Sequence, residues 1–399
     1  MAKKKFIYDS ILNIIATTFP LIILQFVTLP IVASTLGDQR YGSVITLISL
    51  FTIVSLPFGN VLNNIRLLTD DEYDRDGFSG DFNILLLISI LISSILMIIA
   101  INYYYEAFSI INMILMITIS SLSLLKEYLI VTFRLILNFK GILINNIFLA
   151  IGYLIGTFIF YLTNYWESIY IVGLGSSLIY IIKNTKLHKE PLKVTPFFKR
   201  TTYKSFILFC SGFLKTALSH ADKLLLFPLV GARAVSVYYT ASIFGRVFSV
   251  IITPINSVML SYLSKMNKFK TSRFLHIIGV LFIIGSFGYF VIVIASHPLI
   301  TFLYPKWAGD SLELIYITTA TAIISVISSV LNPFILKFYN INWQILIASV
   351  NLILYISFAI LFYNLYGLFG FCLGILFANI AKLILMLSIF IFNNKKSKQ

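Results

Sequence analysis

Residues 82–102 read FNILLLISILISSILMIIAIN, 21 positions without one charged side chain. About 20 mostly apolar residues carry a helix across the hydrocarbon core of a bilayer. Outward from this stretch, comparable runs lie near 11–33, 41–62, 108–126, 142–162, 168–182, 205–227, 236–262, 274–295, 311–336, 343–363 and 367–392. That makes twelve, the one at 168–182 being short. The whole chain agrees: of 399 residues 59% are apolar and only 11% charged, with a mean hydropathy of +0.95. A soluble domain carries roughly a quarter charged residues, and disorder needs low hydrophobicity. The fold class expected is all-α, a polytopic membrane protein with twelve transmembrane helices.

Charge then gives the orientation. The formal net charge is +15, from 30 Lys and Arg against 15 Asp and Glu, a surplus that in a soluble protein would suggest nucleic acid. Here its placement along the chain explains it. With the N-terminus inside, 23 Lys and Arg fall in inside segments, and only Arg40, Arg233 and Lys306 fall outside. Lys215, Lys223, Arg246 and Lys382 lie within or at the edge of runs. Positive charge in short loops marks the cytoplasmic side, so both termini are expected there, with attraction to anionic lipid as a secondary effect. The first run follows Lys3, Lys4 and Lys5, as a signal peptide would. It is longer than an h-region and has no small-residue cleavage site, so a retained first span is expected.

The longest polar connection, 183–204, carries Lys183, Lys186, His188, Lys189, Lys193, Lys199 and Arg200. It divides the chain into residues 1–182, a basic cytoplasmic linker, and residues 205–399, six runs on each side. The halves echo one another: Tyr8-Asp9-Ser10 against Tyr203-Lys204-Ser205, and Leu36-Gly37 against Val230-Gly231. Such echoes fit parallel repeats related by an axis along the membrane normal.

Several chemistries are absent from the sequence. It contains no GxxxxGK[ST] phosphate loop and no HExxH. Cys210 and Cys372 each sit in an apolar run, which indicates neither a disulfide framework nor a metal site. His188, His220, His276 and His297 are scattered. No cofactor is expected, and without a large loop to house catalytic groups, neither is an enzyme.

At about 100° per residue, polar side chains gather into stripes. The seventh run aligns Ser211, Lys215, Ser219 and Asp222; the eighth aligns Ser242, Arg246, Ser249, Thr253, Ser257 and Ser261. The tenth aligns Thr318, Thr321, Ser325, Ser329 and Asn332, and the first Asp9, Asn13, Thr17 and Gln25. Ser and Thr stripes often serve only helix packing. Cations near mid-span are different, because each costs about 2.5–3.5 kcal/mol at the bilayer centre and needs a wet interior or a partner. Lys215 and Arg246 sit too deep to snorkel, and Asp222, two turns beyond Lys215, is placed to pair with it. Arg246 has no carboxylate in its own helix. The cavity implied is net positive, suited to a phosphate or pyrophosphate. Lys382 and Arg66 are further candidates, though helix pairing and interface anchoring explain them as simply. The acidic stretch 70–76 reads as a solvated face.

Four motifs bear a family resemblance. Leu36-Gly37-Asp38-Gln39-Arg40-Tyr41-Gly42 resembles the LGxxxYG turn of Wzx-type polysaccharide flippases, members of the superfamily that includes the multidrug extruders. His220-Ala221-Asp222-Lys223, then Val230-Gly231 and Val237-Tyr238-Tyr239-Thr240-Ala241, resembles the D-[KR]…G…YxxA signature opening the second half. Pro298 to Pro305 with Trp307-Ala308 is similar to the loop after the ninth span, and Tyr366-Gly367-Leu368-Phe369-Gly370 to the turn into the last. Ser236 stands where Gly is commoner, and Tyr304-Pro305 where an aromatic-Gly pair is usual.

The resemblance implies two six-helix bundles around a central cavity open to one face at a time, in a bacterial cytoplasmic (inner) membrane. The cargo implied is an undecaprenyl-pyrophosphate-linked oligosaccharide repeat unit, flipped from the inner to the outer leaflet for O-antigen or capsule. Its pyrophosphate would lie against cavity cations, by position Lys215 and Arg246, with Arg66 and Lys382 behind them. Asn13, Gln25, Ser219, Thr253 and Ser257 would line the cavity, and Asp222 would order the Lys215 face or serve coupling. A polysaccharide polymerase and chain-length proteins are conceivable partners. Two alternatives stay open: a cation-coupled drug extruder, which favours buried carboxylates, and a membrane polysaccharide polymerase or glycosyltransferase.

Overall fold

The computed structural model describes residues 2–105, 108–263, 271–339 and 342–396. Every element among them is helical. In chain order these are α1 (Ala2–Ile23), α2 (Leu29–Asp76), α3 (Asp81–Tyr104), α4 (Ile110–Leu129), α5 (Val131–Leu135), α6 (Phe139–Thr163), α7 (Glu167–Asn184), α8 (Phe198–Val230), α9 (Ala232–Ala241), α10 (Ile243–Leu263), α11 (Thr271–Leu303), α12 (Ala308–Phe338) and α13 (Asn342–Lys396). Seven continuous stretches among the described residues are long and apolar enough to cross a membrane; Ile11–Asp76 and Leu346–Ile391 are much the longest. Each of those two contains a break where helical backbone angles fail, at Gly37 and at Tyr366–Gly367.

The burial pattern on α3 is the reverse of a soluble helix. Ser89 and Ser93 are buried, while Leu91, Ile95 and Ile99 are exposed, each by more than half. On α11, Ile283, Phe287, Phe290 and Ile294 are exposed by 62–72%. Contiguous exposed apolar faces of this extent are costly in water; in lipid they are the expected outer surface. The protein is a multi-pass membrane protein.

Local rules explain the boundaries. Pro20 and Pro30 each remove a backbone donor from the first long helix. The chain absorbs the second with one π-helical turn, Leu24–Thr28, in which the Leu29 N–H donates to the Leu24 carbonyl. At the end of α2, Gly77 (φ 68°) adopts the left-handed conformation; its N–H donates to Asp74 and that of Phe78 to Tyr73, which closes the helix. Asn138 caps α6 by accepting from the Gly141 N–H at 2.9 Å. The eighth run is two helices, α9 and α10, joined at Ser242.

Two compact units divide between Val235 and Ser236. In the first, α2 packs on α4, α3 and α8, and α6 on α7 and α1. Its core gathers Leu62, Ile65, Phe82, Leu124, Tyr128 and Ile181. Thus α8, first helix of the second half by sequence, lies against α2 of the first. In the second unit α12 packs on α10, α11 and α13 around Phe274, Phe334, Ile327 and Phe390. The Phe274 and Phe390 rings stack at 3.5 Å.

The acidic stretch 70–76 is a solvated face only in part: Asp71, Asp74, Arg75 and Asp76 are exposed. It continues α2 as helix, with Tyr73 buried and Asp70 and Glu72 in ion pairs. A buried aromatic residue and cations recruited from elsewhere in the chain hold it in place.

Candidate functional site

On α8, Lys215 is exposed and among the described residues makes no ion pair; Ser219, on the same stripe, is exposed and donates to the Thr216 carbonyl at 2.7 Å. Asp222 is buried, and its carboxylate takes the Lys223 ammonium at 2.8 Å. The expected Asp222–Lys215 pair is therefore replaced by Asp222–Lys223. Lys223 is the deeper cation, only 3% exposed, and a buried charge needs a partner far more than an exposed one. Lys223 also reaches the Ser219 carbonyl at 3.5 Å.

On α10, the Arg246 guanidinium closes the break at Ser242. It donates to the Ser242 hydroxyl and to the Tyr239 carbonyl, both at 2.7 Å, and lies 3.5 Å over the Tyr239 ring. Its Nε is buried without a hydrogen-bond partner, and none of its contacts is a carboxylate. Ser249 donates to the Gly245 carbonyl at 2.8 Å. The side chains of Thr253 and Ser257 lie outside the described residues. On α12, Thr318 donates to Ala241 at the end of α9 and Ser329 accepts from Asn256 of α10, so much of that stripe serves helix packing.

The remaining candidates separate. Gln25 is buried within the π-helical turn. Asn13 and Lys382 are half-buried. Arg66 is almost wholly buried and fully committed: it donates to Asp70 at 2.6 Å, pairs with Glu190 of the linker at 2.9 Å and lies 4.9 Å over the Phe82 ring.

Arg66 belongs to a polar assembly that its sequence neighbourhood does not reveal. Asp81, with no exposed surface, accepts from the Tyr73 hydroxyl at 2.8 Å, the Thr195 N–H at 2.8 Å and the Thr195 hydroxyl at 2.5 Å. Tyr73 in turn shares a hydrogen bond with Thr201 at 2.7 Å. Asn83 donates to the carbonyls of Leu187 and Glu190, and Arg200 pairs with Glu72. The linker is thereby stapled to α2 and α3. A second cluster joins Arg134 to Asn63 and Asn64, and pairs Glu127 with Lys126 at 2.8 Å. The signal available in sequence was the polarity of Asn63, Asn83 and Asp81 at the ends of apolar runs.

No protein-family model and no curated protein matches the sequence. Solved structures do match in shape. An inward-facing multidrug-resistance transporter of the MATE family, MOP superfamily, aligns over 97% of this chain and all of its own, with TM-score 0.73 at 13% identity. A MATE protein in its straight conformation aligns over 96% of this chain and 94% of its own, with TM-score 0.66 at 15% identity. A MOP-superfamily transporter from Pyrococcus furiosus, for which a binding pocket of reversed polarity suggests a different function, aligns over 97% and 96%, with TM-score 0.63 at 12% identity. At these identities the likeness is one of fold: this chain has the architecture of the MATE transporters of the MOP superfamily.

Proposed function

We propose that the protein is a flippase for an undecaprenyl-pyrophosphate-linked oligosaccharide in a bacterial cytoplasmic membrane, serving a surface polymer such as O-antigen or capsule. Twelve spans in two six-helix bundles, both termini cytoplasmic, would frame its cavity, with the bundles at 1–182 and 205–399 and the basic linker between them. The fold supports a membrane transporter. The observation that carries the choice of cargo is the distribution of partners. The cations Lys215 and Arg246 have no carboxylate among the described residues. The acids Asp222 and Glu127 are each neutralised by an adjacent lysine. A drug extruder for organic cations needs the opposite arrangement.

The sugar head group cannot cross hydrocarbon without losing its hydrogen bonds to water. A polar, cationic groove replaces those bonds while the isoprenoid tail stays in the bilayer. Lys215 offers a point charge for pyrophosphate. Arg246 keeps free donors on a guanidinium already oriented by Ser242 and Tyr239. Asn13, Gln25, Ser219, Thr253 and Ser257 supply the surrounding polarity, and Lys382 adds charge in the last helix. Arg66 holds the linker and does not meet cargo. A polymerase and chain-length proteins would use the product on the outer face.

The test is deletion in the host followed by leaflet-selective labelling of the lipid-linked sugar. Complete repeat units should accumulate on the inner leaflet, and Lys215→Ala with Arg246→Ala should restore less than about a tenth of wild-type surface polymer if each cation supplies one charge-assisted contact. Units that reach the outer leaflet unpolymerised would make the chain a polymerase. Unchanged polymer with altered drug sensitivity would make it an extruder, the reading the fold alone equally permits.

A further inference from the structure

A cavity of about 410 Å³ opens between two helix starts and is lined by Gln39, Arg40, Ser43, Val230, Gly231, Ala232 and Arg233. Its two walls are the echoing turns of the sequence. Gly37 (φ 78°, ψ 175°) and Gly231 (φ 100°, ψ 174°) adopt nearly one conformation, closed to other residues, and each restarts a helix at once. An arginine follows each glycine within three residues. Arg40 and Arg233 therefore stand at two helix N-termini that face one cavity, where unsatisfied N–H groups and the helix dipoles also favour negative charge.

The tyrosines ending α3 hold the walls together. Tyr105 donates to the Ser43 carbonyl at 3.1 Å and Tyr104 to the Leu224 carbonyl at 3.0 Å, while Phe227 packs on both rings. Burial pushes the Tyr105 hydroxyl well above its ordinary pKa, so it stays a neutral donor at any working pH. Asp38 supplies the local counter-charge. It lies 3.3 Å from Arg233 and accepts from the Gln39 N–H at 2.8 Å. Arg40 makes no ion pair among the described residues. Among the described residues that line the cavity or pair with its lining, one carboxylate, Asp38, stands against two guanidiniums, so the lining carries net positive charge.

We infer that this cavity is a phosphate-binding site, of a size and charge for a pyrophosphate or a lipid phosphate headgroup, on the face opposite the basic linker. Two arginines aimed at one concavity give the forked donors that phosphate oxygens accept, and the volume falls in the range of small-ligand pockets. The assignment to the outer face rests on the charge-derived orientation of the proposed function; the site itself does not. If flipping holds, this is where the head group of a translocated lipid would be met after it leaves the cavity.

The experiment uses full-length protein in phosphatidylcholine nanodiscs at about 0.15 M salt, titrated calorimetrically with inorganic pyrophosphate. Saturable binding is expected, weakened about tenfold by Arg40→Gln or Arg233→Gln and unchanged by Lys306→Gln, a cation of another expected outside loop that does not line the cavity. Asp38→Asn keeps a capping side chain while releasing Arg233, and should tighten binding about threefold. Replacing a fraction of the lipid with phosphatidylglycerol separates the sources: competition assigns the site to a lipid headgroup, no competition to a free or cargo pyrophosphate. Absent saturable binding to wild type overturns the inference. So does binding lost in the Lys215→Ala/Arg246→Ala variant and retained in Arg40→Gln and Arg233→Gln. A normal binding result beside an unaffected surface polymer would defeat the flippase reading and leave this site standing.

Discussion

Glu167 shows how strongly a single position can be set by its surroundings. It sits immediately before the run 168–182, in the first turn of α7, and is almost wholly buried. Burial pushes its carboxyl up to about 7, against the lowering effect of its own backbone N–H. Because the folded-state value is raised, the folded protein holds the proton more tightly than the unfolded chain. The associated stability is fully present below the ordinary carboxylate range and is lost as pH rises through about 7. Thermal unfolding in detergent should therefore show Tm falling between pH 5 and 8. A Glu167→Gln variant should flatten that slope, removing a contribution of up to about 3 kcal/mol. A slope unaffected by the substitution would place the titrating group elsewhere.

The residue scale also shows why pairings were only partly legible. Lys215 and Arg246 stand out in sequence because a cation in an apolar run is expensive wherever it ends up. Which acid pairs with which cation does not, since an ion pair is chosen by proximity in three dimensions. Asp222 takes the adjacent, more buried Lys223, although helical spacing offered Lys215 equally well. Arg66 finds Glu190 across 124 positions of chain. No local periodicity encodes that contact.

At the scale of elements, α6 and α7 form the tightest pairing of the first unit. A Cβ on Gly156 would stand 2.6 Å from the Ile169 Cα, and one on Gly152 would stand 2.7 Å from the Gly173 Cα. Backbones this close gain dispersion contacts that bulkier residues forbid. Gly156→Leu should separate the helices and lower stability by about 3 kcal/mol or more, read as a fall in Tm, whereas the same change at Gly175, where a Cβ meets nothing within 4 Å, should be mild. Helix positions themselves were legible, because 20-residue apolar runs leave the chain little choice in lipid. The ends were less so. The second run fades near 62, yet α2 continues to Asp76. Beyond 62 it is held by Tyr73, Arg66 and the linker, features that hydropathy does not register. The glycines at 37 and 231 announced their turns, but the cavity that the two turns enclose required the fold.

For the whole molecule, the repeat echoes of the sequence and the division of the structure differ in an instructive way. By sequence, the second half begins at the linker; by packing, the first compact unit extends to Val235 and includes α8. The cause is the polar assembly around Asp81, which fixes the start of α8 against α2 and α3. The linker, basic as its composition is, is held to the first unit by hydrogen bonds and ion pairs along its length.

That stapling bears on protease access. Six Lys and Arg residues between Lys183 and Arg200 give the linker a dense set of trypsin sites. A protease needs an extended, locally unfolded substrate, and here the backbone at Leu187, Glu190 and Thr195 is bonded to α3. In detergent micelles, cleavage at Lys189 and Lys193 should be slow for the native protein and at least about tenfold faster in Asp81→Asn, which weakens the grip on Thr195 and so frees the local opening that cleavage requires. Equal rates would mean that the segment already opens on its own. Measured this way, exposed lysines of the linker become a reporter of the buried hydrogen bonds that hold it.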